Sequence, residues 1–383
     1  MNIGIIGSGT MGIGIAHATA NKEHKTLVFD SSPSSLKHGK EKLYILLDKL
    51  VEKGKYSLEQ SNNIKNKIIF TEDLNDIKNS ELVIEAIIEK LKIKKEVFTK
   101  IENLVSADCI IASNTSSLSI ASIASACKNS KRVIGMHFFN PANLMPLVEI
   151  IPAIQTSQDT INKTKSILLE LNKVIVLAKD TPGFIVNRVA RPFYGESLRI
   201  YEEGIANFET IDWALKEIGG FKMGPFELMD YIGNDINYTV TKTVFKEFYY
   251  DPRYKPSFTQ KRLMEAGYFG RKSGMGYYNY RNEEPKNINQ NRELAKKITL
   301  RVLAMLINEA SDALFLNIAS KEDIDLAMTK GVNYPKGLLK WADEIGIKNI
   351  LKILEDLYNT YCEDRYRPSP ILRKMSAENN TFY

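Results

Sequence analysis

Four features at fixed distances confine the N-terminal part of this chain to few folds. Gly7-Ser8-Gly9-Thr10-Met11-Gly12 follows an apolar run, Asn2-Ile3-Gly4-Ile5-Ile6, and leads into an amphipathic stretch from Met11 to Ala20. Asp30 then ends the next β-branched run. A GxGxxG pattern alone is weak, but strand, glycine turn, helix and acid in this order are what a dinucleotide site requires. The first glycine permits a tight turn, the second lets the backbone approach a pyrophosphate, and the third lets helix and strand pack closely. The helix N-terminus, with its partial positive charge, then faces the phosphates. Asp30 would take the adenine-ribose hydroxyls and repel a 2′-phosphate, and no arginine follows in Ser31-Ser32-Pro33-Ser34. The expected cofactor is therefore NAD or NADH, held by Gly7, Gly9, Thr10, Met11, Gly12 and Asp30. FAD uses the same fold but suits the following sequence less well.

The alternation continues to about residue 180. Apolar runs at Asn2–Ile6, Thr26–Asp30, Lys67–Thr71, Leu82–Ala86, Cys109–Ser113, Arg132–His137, Val148–Ile151 and Val174–Ala178 alternate with helical patterns. This predicts a parallel, doubly wound α/β sheet of the Rossmann type, with ligands at the carboxyl ends of its strands. Asp180-Thr181-Pro182-Gly183 interrupts the pattern, and the chain reads as helices from Phe184 onward. The polar segment Arg281 to Arg292 reads as a linker. Across it the sequence repeats at a constant offset of 113: Arg188-Val189 with Arg301-Val302, Glu196 with Glu309, Ile205–Asp212 with Ile318–Asp325, and Asp230–Gly233 with Asp343–Gly346. One fixed offset implies a duplicated helical domain. The predicted domains are residues 1–182 for the cofactor, 183–281 for substrate and dimerisation, and 282–383 as a degenerate copy. Asn187 in the first copy faces Leu300 in the second.

Three further strand-like runs end in polar residues. Leu82–Ile88 carries Glu85 and ends at Glu89, Cys109–Ser113 enters Asn114-Thr115-Ser116-Ser117, and Arg132–Met136 ends at His137. In an open α/β sheet these ends converge on one crevice. A lone histidine at a strand end is more often structural, and the convergence is what makes His137 a catalytic candidate. Glu149 starts a second apolar run twelve residues on, and a buried carboxylate there needs a partner. A His–Glu pair is a general-base arrangement, in which the carboxylate sets the imidazole tautomer and favours its charged form. Ser116 could instead cap the helix that follows it, and Asn187 could serve only a backbone hydrogen bond.

Composition excludes several classes. The 383 residues carry a modest net charge of +6 and no nucleic-acid-binding signature. No apolar run is long enough to span a bilayer. The strand beginning at Asn2 leaves no room for a leader, and three scattered cysteines form neither a disulfide framework nor a metal motif. A cytoplasmic protein without metal, membrane or nucleic-acid partners is expected.

The chain resembles the L-3-hydroxyacyl-CoA dehydrogenase family, close to its bacterial 3-hydroxybutyryl-CoA members. The resemblance rests on Gly7–Ala16, Ser113-Asn114-Thr115-Ser116-Ser117-Leu118-Ser119-Ile120, Gly135-Met136-His137-Phe138-Phe139-Asn140-Pro141, Thr181-Pro182-Gly183-Phe184-Ile185-Val186-Asn187-Arg188 and Met223-Gly224-Pro225-Phe226-Glu227-Leu228. It implies a Rossmann domain, then two all-α domains like the C-terminal domain of 6-phosphogluconate dehydrogenase, with acyl-CoA as substrate. It implies NAD-dependent oxidation of L-3-hydroxyacyl-CoA to 3-ketoacyl-CoA, and the reverse. The implied base is His137, oriented by Glu149. Ser116 and Asn187 would bond the 3-oxygen or thioester region, with Asn140 supporting the site. Glu89 and Lys94, with Ser116 and Asn140, fall beside the nicotinamide, and Lys53 matches a CoA-phosphate contact. Phe138, Phe139, Phe193 and Tyr194 would suit a short-chain pocket. Shorter members pair as dimers through one helical domain. The longer form implies either a homodimer or a monomer whose second copy imitates that contact. Two alternatives carry different expectations: a dehydrogenase of free hydroxy or sugar acids, which would not need CoA, and a non-catalytic NAD-binding protein, which would bind NADH without turnover.

Overall fold

The eight apolar runs become one eight-stranded sheet in the computed structural model, which describes residues 1–282 and 285–383. The strands are β1 (Asn2–Ile6), β2 (Lys25–Phe29), β3 (Ile68–Thr71), β4 (Leu82–Glu85), β5 (Ile110–Ser113), β6 (Val133–Phe138), β7 (Leu147–Pro152) and β8 (Val174–Leu177), in the order β3-β2-β1-β4-β5-β6-β7-β8. The order reverses at β1/β4, which is where an open α/β sheet opens a ligand crevice. Between the strands lie α1 (Thr10–Ala20), α2 (Pro33–Glu52), α3 (Leu58–Lys67), α4 (Leu91–Leu104), α5 (Ile120–Ala124) and α6 (Gln158–Glu170). Helix α2 shows why these segments fold as they do. Ser32 caps it by accepting from Ser35 N, Pro33 opens it, and Leu36, Leu43 and Leu47 bury one face. The central strands are buried on both faces and mostly apolar, as strands covered on two sides must be.

One expectation is corrected. The sheet is not wholly parallel: β7 runs antiparallel to β6, and β8 runs parallel to β7. The β6–β7 connection spans only residues 139–146, too short for the crossover that a parallel pair needs. The reversal sets His137 directly opposite Glu149.

This sheet lies in a unit spanning Met1–Thr181, and a second unit spans Pro182–Tyr383. The second contains α7 (Val186–Val189), α8 (Arg191–Glu202), α9 (Phe208–Glu217), α10 (Pro225–Ile232), α11 (Asn234–Glu247) and α12 (Phe258–Glu265), then α13 (Arg292–Phe315), α14 (Lys321–Gly331), α15 (Leu338–Ile345), α16 (Ile347–Tyr361) and α17 (Pro370–Glu378). The 113-residue offset survives in three dimensions. Pro225 and Leu338 open equivalent helices, as do Asn234 and Ile347, and Gly233 and Gly346 both hold positive φ between them. Asp212 accepts from Phe226 N and Glu227 N at 2.9 Å each, and Asp325 accepts from Leu339 N and Lys340 N at 2.8 and 3.0 Å. Asp230 holds Tyr277 N and Tyr278 N, as Asp343 holds Phe382 N and Tyr383 N. Part of the expected linker, residues 283 and 284, lies outside the described residues. Asn287 N and Asn289 N bond Glu209 and Thr210 at the start of α9.

The two copies exchange buried charges. Arg188 Nε donates to Glu309 Oε1 at 2.6 Å, and Arg301 Nε donates to Glu196 Oε1 at 2.6 Å. Tyr254 bonds Glu309 as Tyr366 bonds Glu196. Such reciprocity is what a two-fold relation between copies produces. Burial alone would raise the Glu309 pKa, but the Arg188 and Arg253 charges outweigh it and hold Glu309 below the usual range.

Candidate active site

The glycine turn borders a cavity of about 810 Å³. Its walls include Gly7, Ser8, Gly9, Thr10, Asp30 and Asn140. A Cβ on Gly12 would sit 1.9 Å from the Gly7 carbonyl oxygen, so only glycine allows α1 to start here. Above Gly9 the space is open, and no side chain caps α1. The first amides of α1 are therefore available to an anion. Asp30 Oδ2 accepts from Ser8 N at 2.8 Å and Ser8 Oγ at 2.7 Å, and Oδ1 accepts from Ser32 N at 3.0 Å. The carboxylate is thus fixed at the end of β2. These residues fit a dinucleotide. The cavity also takes in Ser35, His38, Gly39 and Lys42, which the sequence reading missed. Their signal was present as an i, i+3, i+4, i+7 face of α2.

His137 Nδ1 and Glu149 Oε2 lie 2.6 Å apart on adjacent strands, and both side chains are buried. With Nδ1–H donating to the carboxylate, Nε2 is the ring nitrogen that can take or give a proton. The Phe139 ring packs 4.5 Å from the imidazole, centroid to centroid.

A second carboxylate network braces the neighbouring strand ends. Fully buried Glu85 accepts from Lys94 Nζ at 2.6 Å and Ser113 Oγ at 2.7 Å, and Lys94 reaches Glu89 at 3.2 Å. Glu89 accepts from Thr115 Oγ1, Ser116 N and Ser117 Oγ. Burial would raise the Glu89 pKa, but Lys94 and these donors bring it below its ordinary value. Glu89 and Lys94 therefore hold the loop that carries Ser116. The cap of the next helix is Ser119, whose Oγ accepts from Ser122 N, so the capping alternative for Ser116 is set aside. Asn114 Oδ1 accepts from Phe138 N at 2.8 Å and ties this loop to the His137 strand.

Lys173 is another residue that sequence reasoning missed. Its ammonium donates to the carbonyls of Ala142 and Met145, at 2.7 and 2.8 Å, and so fixes the segment after Asn140. Burial pushes its pKa down to about 8. Lys53 ends α2, is exposed, and does not border the cavity. Met11 and Gly12 also lie off the cavity wall. Phe138 and Phe193 are core residues. Asn187 belongs to the helical unit, in α7, and is half-buried.

The family described as 3-hydroxyacyl-CoA dehydrogenase, NAD binding domain, matches residues 2–181, and its C-terminal domain matches 183–280 and 298–381. The chain belongs to the 3-hydroxyacyl-CoA dehydrogenase family. It is similar to the 3-hydroxyadipyl-CoA dehydrogenase of Escherichia coli K12, at 34% identity over 97% of this chain and 96% of that one. It is also similar to the 3-hydroxybutyryl-CoA dehydrogenase of Clostridioides difficile, at 38% identity over 73% of this chain and 99% of the relative. A crystal structure of an Escherichia coli K12 3-hydroxybutyryl-CoA dehydrogenase superposes with a TM-score of 0.93 at 34% identity, covering 99% of this chain and 98% of that one. The protein is thus an oxidoreductase that uses NAD to oxidise 3-hydroxyacyl-CoA, on a Rossmann sheet followed by a helical region. Among the described residues no helix is long and apolar enough to cross a membrane.

Proposed function

We propose that the chain interconverts short-chain L-3-hydroxyacyl-CoA and 3-ketoacyl-CoA, 3-hydroxybutyryl-CoA among them, with His137 as the acid–base residue. The observation that carries this reading is the buried 2.6 Å His137–Glu149 pair on adjacent antiparallel strands. The nicotinamide of a bound NAD would supply the hydride acceptor for C3. His137 Nε2 takes the 3-hydroxyl proton, and Glu149 stabilises the imidazolium that results. In reduction His137 returns the proton to the developing alkoxide. Such acid–base help is worth roughly 10²–10⁴-fold. Ser116, held through its amide by Glu89, and Asn187 would bond the 3-oxygen or thioester. Gly7, Gly9, Thr10 and Asp30 would hold the nucleotide, with Met11 and Gly12 shaping the turn. Asn140, Glu89 and Lys94 would lie toward the nicotinamide. Lys53 remains the proposed contact to a CoA phosphate.

The same reading keeps three domains, 1–182, 183–281 and 282–383. The repeated helix order supports the division of the second unit. It keeps both a homodimer and a monomer with an internal pseudo-dimer, the exchanged Arg–Glu pairs being the contact through which the second copy would imitate a partner. The cytoplasm is the proposed compartment. Cys109 and Cys127 are buried free thiols, each pushed up to about 12 by burial and so kept from thiolate chemistry.

The test is NADH consumption with acetoacetyl-CoA, with His137→Gln and free acetoacetate run in parallel. Rapid wild-type oxidation, a loss of about 10²-fold or more in the variant, and inactivity of the free acid are expected. Turnover of free acetoacetate at a similar rate would move the substrate to free hydroxy acids. NADH binding without any turnover would end the catalytic reading.

A further inference from the structure

Six arginines are buried among the described residues: Arg132, Arg188, Arg191, Arg253, Arg301 and Arg365. Five have a carboxylate within 4 Å: Glu102, Glu309, Asp312, Glu196 and Glu363 respectively. Arg191 has none. Its side chain sits at the start of α8, and the residue is 6% exposed. Nε donates to the Asn187 carbonyl at 2.9 Å, Nη1 donates to Thr241 Oγ1 at 3.2 Å, and the Tyr194 ring lies 4.9 Å from the guanidinium carbon. These are neutral partners. A guanidinium does not shed its proton, so a buried one without a counter-charge awaits an anion from elsewhere. Burial pushes its pKa below the ordinary value, the direction expected of an uncompensated cation.

A second observation falls at the same place. Tyr334, between α14 and α15, is 5% exposed, and its hydroxyl has no hydrogen-bond partner. It interacts electrostatically with Arg191 and Tyr194. A buried donor left unpaired is rare and costly. The repeat shows that packing does not demand either group. The counterpart of Arg191 in the second copy is Ala304, and the counterpart of Tyr334 in the first is Phe221. The two matched positions are therefore both apolar. The polar pair exists only beside the copy that carries Asn187.

We infer that Arg191 and Tyr334 receive a terminal carboxylate on the acyl chain, so that the preferred substrate is a 3-hydroxyacyl-CoA whose far end is charged. The inference rests on the acyl-CoA reading above and names what stands at the end of that chain. Spacing agrees. Arg191 follows Asn187 by one helical turn, a rise of about 6 Å. In a six-carbon dicarboxylic chain the terminal carboxylate stands three carbons beyond C3. Arg191 would bond it with charge assistance, and Tyr334 would donate a second hydrogen bond. The neighbouring rings of Phe193 and Phe221, 5.6 and 5.0 Å from that of Tyr334, supply an apolar wall.

The test compares two substrates of equal length, 3-hydroxyadipyl-CoA and 3-hydroxyhexanoyl-CoA, by NADH formation. In the wild type kcat/KM should favour the dicarboxylic substrate by about 10-fold or more, mostly through KM. Arg191→Met should bring that ratio to about one, and Arg191→Lys should keep part of it. Tyr334→Phe loses no internal hydrogen bond, so it should fold normally and lower the ratio several-fold. Thr241→Val removes a structural partner only and should keep the ratio. Equal use of both substrates by the wild type would overturn the inference while leaving the acyl-CoA reading intact. A ratio untouched by Arg191→Met and Tyr334→Phe would overturn it too. Turnover of neither thioester would overturn both.

Discussion

The two helical copies of the second unit share a scaffold and differ in their polar residues. Both keep the aspartate that caps the third matched helix from the second, Asp212 and Asp325. Both keep the glycine with positive φ between their third and fourth matched helices, and both keep an Arg–Glu–Tyr set that pairs across the repeat. What the second copy lacks is Asn187, replaced by Leu300, and Arg191, replaced by Ala304. Duplication thus sets the polar groups that recur at the 113-residue offset and bind one another, Arg188 and Arg301 with Glu309 and Glu196, apart from Asn187 and Arg191, which occur once and which we assign to the ligand.

Several substitutions would sharpen or break that distinction. The largest effect is expected for Arg301→Met, which leaves buried Glu196 with no cation within 4 Å among the described residues, only the more distant Arg199. Breaking a buried pair on one side costs about 3–5 kcal/mol, to be read by urea unfolding. Arg188→Met should cost less, because Glu309 retains a second arginine, Arg253, at 3.5 Å. Restoring neutrality with Glu196→Gln in the Arg301→Met background should recover part of the loss. If Arg188→Met proved the costlier change, the two exchanges would not be equivalent supports. Next in size is a swap of the unmatched position. Asn187→Leu should lower kcat/KM for acetoacetyl-CoA by roughly 10–10²-fold, the cost of an unmade hydrogen bond to substrate. The mirror change, Leu300→Asn, should leave catalysis at the wild-type level. Equal losses from both would mean that position 187 matters for packing alone. The smallest effects belong to the matched N-caps, Asn207 and Ser320, whose side chains accept from Thr210 N and Asp323 N at 3.0 Å each. Alanine at either should cost about 1 kcal/mol in thermal or urea unfolding. A clear inequality would reveal that one copy is held by tertiary contacts strong enough to make its cap redundant.

Much of this architecture was legible in the residues. Each of the eight strands was found to within a residue, because their apolar runs are short, β-branched and bounded by turn residues. The nucleotide turn followed from the spacing of its glycines and Asp30. His137 and Glu149 could be paired because an isolated buried carboxylate needs a partner. The antiparallel turn of β7 was missed, although the eight-residue connection before it already forbade a helical crossover. His38 and Lys42 were missed because a solvated lysine-rich helix face and a cavity wall have the same periodicity. Lys173 and Arg191 left no local signal. Their roles depend on carbonyls and side chains brought near by tertiary packing, in the case of Lys173 some thirty residues away in sequence. The Arg188–Glu309 and Arg301–Glu196 exchange was half visible. The offset matched the arginines and the glutamates, and a two-fold relation between copies would then make each arginine meet the other copy's glutamate.

That exchange has a consequence for how the protein responds to dilution. When two separate chains share such a contact, mass action governs it, and at low concentration the partners drift apart. Here both halves are parts of one polypeptide, so each meets the other at an effective concentration set by the intervening chain. The Arg188–Glu309 and Arg301–Glu196 contacts persist however scarce the protein becomes. An inherited change also strikes only one half at a time, whereas in a homodimer it would strike both.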